Sequence, residues 1–220
     1  AAADALLRSG VTPEHDLVFA AVAQEETGLV GMKALYAEWK DRAFAFVDVL
    51  GDGHSVTYGA ITIHWWKVVA SGPGGHSLNG GVPNVNQGIG RVGDRILQLP
   101  HPERHKDDRV VVNVAMLQSG AVYNHKPETG WFSLDVRSLD GARVEEVEGE
   151  VRKILDGVTA ETTLRFELQP FQMTPGGQIP GLRESALVTT AEAISTHLGY
   201  APELGNAGSA NLNVPLGQGA

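Results

Sequence analysis

The sequence predicts an α/β protein: an incomplete layered α/β domain interrupted by a ferredoxin-like β-α-β-β-α-β unit. Three observations carry this. Apolar runs at residues 17–23 and 43–49 flank a helix-patterned stretch at 28–40, the strand–helix–strand rhythm of a parallel sheet. From Tyr58 the rhythm becomes strand, helix, strand, strand, helix, strand, the split β-α-β order. After a linker at 171–181, a helix returns at about 182–198 and is followed by a glycine- and asparagine-rich segment. Residues 1–58 and 173–220 are therefore expected to be two segments of one α/β domain, with 59–172 inserted between them.

Each element has a local reason. Residues 1–8 read as helix, stopped by Gly10, and 9–16 as a turn around Pro13. The run 17–23 reads as a buried strand and 28–40 as an amphipathic helix. The run 43–49 carries the β-favouring Phe44, Phe46 and Val47. In the inserted unit, strands are expected at 60–70, 109–118, 131–137 and 162–169, and helices at about 83–99 and 142–155. A glycine-rich loop spans 71–81 and a turn spans 126–130. His64, Trp65 and Trp66 alternate across the first of these strands. This places core packing on one face and a sheet or dimer surface on the other.

Composition narrows the function classes. The 220 residues are 42% hydrophobic and 6% aromatic, normal for a globular chain. Lys plus Arg number 17 against 26 Asp plus Glu, a net charge of −9, and the basic residues form no patch or stripe. Nucleic acid is not an expected partner. With no cysteine, disulfides, zinc ribbons and thiol nucleophiles are excluded, so a metal would be held by carboxylates and histidines. No apolar run approaches a membrane span and no signal-peptide pattern opens the chain, so no membrane partner and a cytoplasmic location are expected. The first residues read as the second half of a helix and the last have no closing element, so both ends are expected to be cut.

The chemistry-bearing residues begin with Gln24-Glu25-Glu26-Thr27-Gly28. Adjacent carboxylates at the C-terminal mouth of a parallel strand stand where open α/β sheets place their sites. Their side chains diverge, so one can bind a metal while the other faces a water; the bland alternative is a pair of helix-dipole partners. Asp48 ends the next expected strand at the same sheet edge; taken alone it reads as a turn former before Gly51. Three like charges so close repel unless a cation sits between them. The loop Ser71-Gly72-Pro73-Gly74-Gly75-His76-Ser77 presents an imidazole that can donate to a developing oxyanion; the bland alternative is a solvated loop histidine. Asn124 follows one expected strand and Arg137 ends another, where a guanidinium suits a substrate carboxylate; otherwise the two are surface residues. His101-Pro102-Glu103-Arg104-His105 has zinc-like spacing but is broken by prolines. Ser209 lacks a nucleophile elbow.

Together these segments resemble the zinc metallohydrolases that include aminoacylase, carboxypeptidase G, peptidase T and succinyl-diaminopimelate desuccinylase. The resemblance covers nearly all of the chain. It rests on residues 24–28, on Asp48 followed by Gly59, and on Gly72-Pro73-Gly74-Gly75-His76-Ser77. Tyr123-Asn124-His125-Lys126-Pro127, Leu134-Asp135-Val136-Arg137 and residues 206–213 add to it.

The resemblance implies a lid and dimerisation role for 59–172, two zinc ions per subunit (cobalt or manganese as substitutes), and a homodimer. It implies Glu25 as general base, Glu26 and Asp48 as metal ligands, and His76 as an oxyanion-stabilising residue reaching across the dimer. Asn124 and Arg137 become substrate contacts. Aspartate at 48 is more similar to the aminopeptidase-type members. The expected function is hydrolysis of an amide bond in a small peptide or N-acyl amino acid. The family's His-x-Asp motif, bridging aspartate and last histidine ligand have no match here, so the chain is expected to be an internal fragment, inactive alone. The alternative is a non-catalytic dimerisation or binding protein that keeps the lid.

Overall fold

The computed structural model describes residues 2–50, 54–99 and 110–219. Its centre is an antiparallel sheet built on two ten-residue strands, β2 (Thr62–Ser71) and β7 (Thr129–Ser138), paired along their whole length. β8 (Arg165–Thr174) lies on the free side of β2. β4 (Val110–Asn113) and β5 (Leu117–Ser119) pair with successive halves of β7, giving the order β4-β7-β2-β8. α3 (Val85–Leu97) connects β2 to β4, and α4 (Gly141–Thr162) connects β7 to β8.

Period-2 alternation decides which face is buried. Trp66, Val68 and Ala70 of β2 and Phe132, Leu134 and Val136 of β7 point under the helices. They meet Val85, Ile89, Val92 and Ile96 of α3 and Val144, Val151, Leu155 and Val158 of α4, each set one helical stripe. Fully burying side chains of this kind is worth about 1.5–3 kcal/mol each. Asn84 and Asp140 cap the two helices by accepting from the N–H of Asn86 and Ala142, both at 2.9 Å. Arg95 and Glu161, 2.8 Å apart, link the helices at the surface.

Several boundaries differ from expectation. α4 runs to Thr162 rather than stopping near 155. Gly157 costs about 1 kcal/mol in a helix, but Val158 beyond it is fully buried and outweighs that. β8 starts at Arg165 and continues to Thr174, through residues read as linker. Pro170 fits because β8 is an edge strand and its register shifts there, opposite Trp65 and Trp66. The strand expected at 109–118 is interrupted after Asn113. At the break, Met116 bonds both the backbone and the hydroxyl of Ser133. The expected loop at 71–81 holds a short strand, β3 (Gly75–His76), paired with β6 (His125–Lys126) at the start of the expected turn at 126–130.

The flanking segments depart further. α1 (Ala2–Ser9) and α2 (Val30–Trp39) form as expected. Residues 17–23 and 43–49, expected as parallel strands, join no ladder among the described residues. Leu17, Val18, Phe19, Phe44 and Val47 are exposed rather than buried. A strand exists only through a neighbour's hydrogen bonds, and here neither run has one. The parallel pair that does form is β1 (Ser55–Thr57) with β9 (Glu203–Gly205). A small core of Leu29, Met32 and Val214, flanked by Phe46 and Tyr36, packs α2 against α6 (Asn213–Gly217). Residues 182–198 form a 3-10 turn (Leu182–Glu184) and then α5 (Ala186–His197).

One residue ties these segments to the root of the sheet. Asn213, 1% exposed, donates to the carbonyls of Ile61 (2.9 Å) and Pro175 (2.8 Å) and accepts from the N–H of Ala210 (2.8 Å). Beside it, Ala60 bridges both Gly177 and Gly208. A Cβ on Gly177 would collide with the Leu216 carbonyl.

Candidate functional site

The acidic corner is built by the start of α2. The N–H groups of Leu29, Val30 and Gly31 donate to the carbonyls of Glu25, Gln24 and Ala23, folding the helix back on the preceding segment. A Cβ on Gly31 would lie 2.6 Å from the Ala23 backbone, so only glycine permits this approach. Gln24 and the buried Leu29, neither of them glycine, hold left-handed backbone at φ 61° and 59° on either side of the glutamates. Such strain concentrates at functional sites.

Glu25 is half-buried and Glu26 exposed. Partial burial, then the charges of Glu26 and Asp48, raise the Glu25 carboxyl above its ordinary value. The three carboxylates expected to converge are therefore close enough to repel. Asp48 Oδ2 is buried without a hydrogen-bond partner, as is Asn211 Oδ1. Such orphaned oxygens suit a cation. Among the described residues, however, no group of three or more His, Asp or Glu is arranged to hold a metal. The corner thus fits a metal in charge and in its orphaned oxygen, and supplies only part of a ligand set.

His76 and Asn124 are brought together at the other end of the molecule. Their side chains meet at 3.3 Å, and the Ser77 N–H donates to the Asn124 carbonyl at 2.9 Å. His76 Nδ1 accepts from the Leu78 N–H at 3.2 Å, which in the neutral form puts the ring proton on Nε2, so Nε2 meets Asn124 as a donor and its partner there is the Asn124 amide oxygen. Lys126 pins the loop by donating to the carbonyls of Asn79 (2.7 Å) and Val82 (3.1 Å). The glycines before His76 are needed for this path. Gly74 and Gly75 have φ of 62° and 127°, and a Cβ on Gly74 would strike Glu128.

Arg137 stands at the far end of β7. Its Nε donates to both oxygens of Asp135, at 2.9 and 3.0 Å, and the Trp65 indole N–H donates to Asp135 Oδ1 at 2.8 Å. Arg137 lies eight residue steps along the strand from Thr129, beside which the His76 loop is anchored, a span of about 26 Å. The structure therefore groups Glu25, Glu26 and Asp48, and separately His76 with Asn124, but does not join Arg137 to His76.

Sequence reasoning named Asp135 and Trp65 but gave neither a role at the site. The signal was present in parity, since residues 135 and 137 of one strand share a face. Residues 206–213, which add to the resemblance, spend backbone donors on the junction: the Gly208 N–H donates to the Gly59 carbonyl and the Ala210 N–H to Asn213 Oδ1. The His101–His105 spacing, the start of the 109–118 strand and Gly51 lie outside the described residues. A shallow apolar groove follows α5, lined by Thr189, Thr190, Ala193, Ile194, His197 and Leu198. It contains none of the residues above and no arrangement for catalysis.

Solved structures share this architecture. An aminopeptidase PepT from Bacillus cereus superposes with a TM-score of 0.73 at 20% identity, over 90% of this chain and 52% of that one. A tripeptidase from Staphylococcus aureus gives 0.73 at 19%, over 88% and 51%. An amidase of the hydantoinase/carbamoylase family from Burkholderia vietnamiensis gives 0.59 at 18%, over 74% and 39%. No protein-family model and no curated protein matches the sequence. The chain spans about half the length of the peptidases it matches. The expected resemblance to the group containing peptidase T is thus met in three dimensions: this chain has the fold of the PepT aminopeptidase over nine-tenths of its length.

Proposed function

We propose that the chain is part of a metal-dependent hydrolase that cleaves an amide bond in a small peptide or N-acyl amino acid. The observation that carries this reading is the Glu25–Glu26–Asp48 corner, with Glu25 raised by partial burial and then by its two acidic neighbours, on a fold shared with peptidases and an amidase. In this reading 1–58 and 173–220 are catalytic segments and 59–172 is a ferredoxin-like lid and dimerisation domain. The order β4-β7-β2-β8 supports that lid assignment.

Glu26 and Asp48 would each give a carboxylate to one of two zinc ions; the described residues do not complete the ligand set. Bound there, the metal would polarise the scissile carbonyl. Glu25 takes a proton from the attacking water and passes it to the leaving amine. A carboxyl raised above its ordinary value, as that of Glu25 is by partial burial and by Glu26 and Asp48, is the stronger base for this. The His76 Nε2–H donates to the oxyanion of a partner subunit's site, in keeping with its separation from Arg137 along the sheet. Arg137 receives a substrate carboxylate. A cytoplasmic location belongs to the same reading; no helix among the described residues is long and apolar enough to cross a membrane.

The test is Glu25→Gln in the intact enzyme. Turnover is expected to be lost while elemental analysis shows zinc retained. Near-normal turnover would remove Glu25 from the mechanism.

A further inference from the structure

We propose that Asp135 is a positioning residue. It grips Arg137 from the side so that the end of the guanidinium stays open for a substrate carboxylate, and Trp65 fixes Asp135 in place. The proposal rests on the reading of Arg137 as a carboxylate contact.

The geometry of the grip is the first argument. An arginine carries five N–H donors, and two parallel bonds from its end are the usual way to satisfy a carboxylate. Asp135 instead takes the single Nε–H with both of its oxygens. The four Nη hydrogens have no hydrogen-bond partner among the described residues. The Trp65 ring lies 5.8 Å from the guanidinium carbon, and its N–H holds the same Asp135 oxygen. The side chains of Asp135 and Arg137 are 20% and 34% exposed, so the pair is sheltered yet reachable.

Placement is the second argument. Arg137 lies on the sheet face without helices, paired across the ladder with Ile63 and Val111. This is the end of the sheet joined, through Asn213 and Ala60, to the segments that carry Glu25, Glu26 and Asp48. A flexible arginine loses rotamer freedom when it binds an anion, and a side chain already held loses less. The negative charge of Asp135 acts oppositely, repelling an incoming anion. Positioning and charge therefore predict opposite effects when the charge is removed.

The experiment titrates the protein with N-acetylglycine and with N-acetylglycinamide, following the arginine Nε–H and indole N–H resonances. N-acetylglycine is expected to shift the Arg137 and Trp65 signals, and the amide to leave them in place. Asp135→Asn should weaken N-acetylglycine binding at least threefold despite losing a repelling charge, and Asp135→Glu should recover most of it. Trp65→Phe, which keeps a ring but loses the N–H, should weaken binding about twofold and guards against a misfolded Asp135→Asn. Binding in Asp135→Asn that is unchanged or tighter overturns the positioning role. Arg137→Ala separates the two ideas: lost binding there with intact binding in Asp135→Asn sinks positioning alone. Intact binding in Arg137→Ala, or no shift in the unsubstituted protein, sinks the carboxylate reading and the proposal together.

Discussion

The sheet unit and the segments flanking it are built on opposite terms. Between Thr62 and Thr174, two helices close one face of the sheet over a continuous core, and β2 and β7 pair along their whole length. Among the described residues, the flanking segments have a core cluster of only three buried members, apolar side chains in the open and left-handed backbone at Gln24 and Leu29. Yet the strained, thinly packed part holds the acidic corner. Packing in one region supplies stability that the other, with its repelling carboxylates, does not supply for itself.

The largest test of this contrast is in the core. Phe132→Ala should cost about 3–5 kcal/mol and bring the sheet unit close to unfolding in urea. Met32→Ala should cost less, about 2 kcal/mol, since so small a cluster relaxes around the loss. Equal costs would break the comparison. Asn213→Ala probes the joint between the regions. It leaves the Ile61 and Pro175 carbonyls without their donor, a loss of about 1–3 kcal/mol, and should make urea unfolding less cooperative. A single sharp transition would mean that the regions are coupled by packing alone.

Two pH dependences sharpen it further. His64 lies on the helix-facing side of β2 against Trp66, its Nδ1 buried without a partner. Burial lowers its pKa, against the opposing pull of Glu148 and Glu145 on α4. The folded state therefore resists the proton, so stability is full above the ordinary value of 6.5 and falls as pH drops below it. His64→Gln should flatten that loss, by on the order of 2 °C in Tm at pH 5. Glu25 has the opposite sense. Its raised pKa makes the native state most stable below the ordinary value of 4.5 and less so as pH rises through the folded value. Glu25→Gln should therefore melt on the order of 1 °C higher at pH 7 and no differently at pH 4. A destabilised Glu25→Gln at pH 7 would mean that the charge serves the fold.

Much of this was legible in the sequence. The helix stripes at 85, 89, 92, 96 and at 144, 151, 155, 158 repeat at helical spacing, and the strands at 62–71 and 129–138 alternate. The nearness of Asp48 to Glu25 and Glu26 was anticipated, and the raised Glu25 carboxyl reflects it. The route was not: the corner is held by the folded-back start of α2, not by paired strands. An apolar run can be read locally as a strand, but the neighbour that would make it one cannot.

The sequence by itself determined the periods, the breaks and the order of the elements, because those depend on side chains a few residues apart. It also determined that any metal chemistry here would use carboxylates and histidines, since no cysteine exists. Only the tertiary structure decided the rest. It set the bulge at Pro170, the pairing that seats His76 on Asn124, the Asn213 clamp and the sideways grip of Asp135 on Arg137 under Trp65. Each depends on a residue dozens of positions away, Trp65 in the case of the Asp135–Arg137 pair, and such contacts follow from strand register and the path of the chain in space, which no local pattern carries.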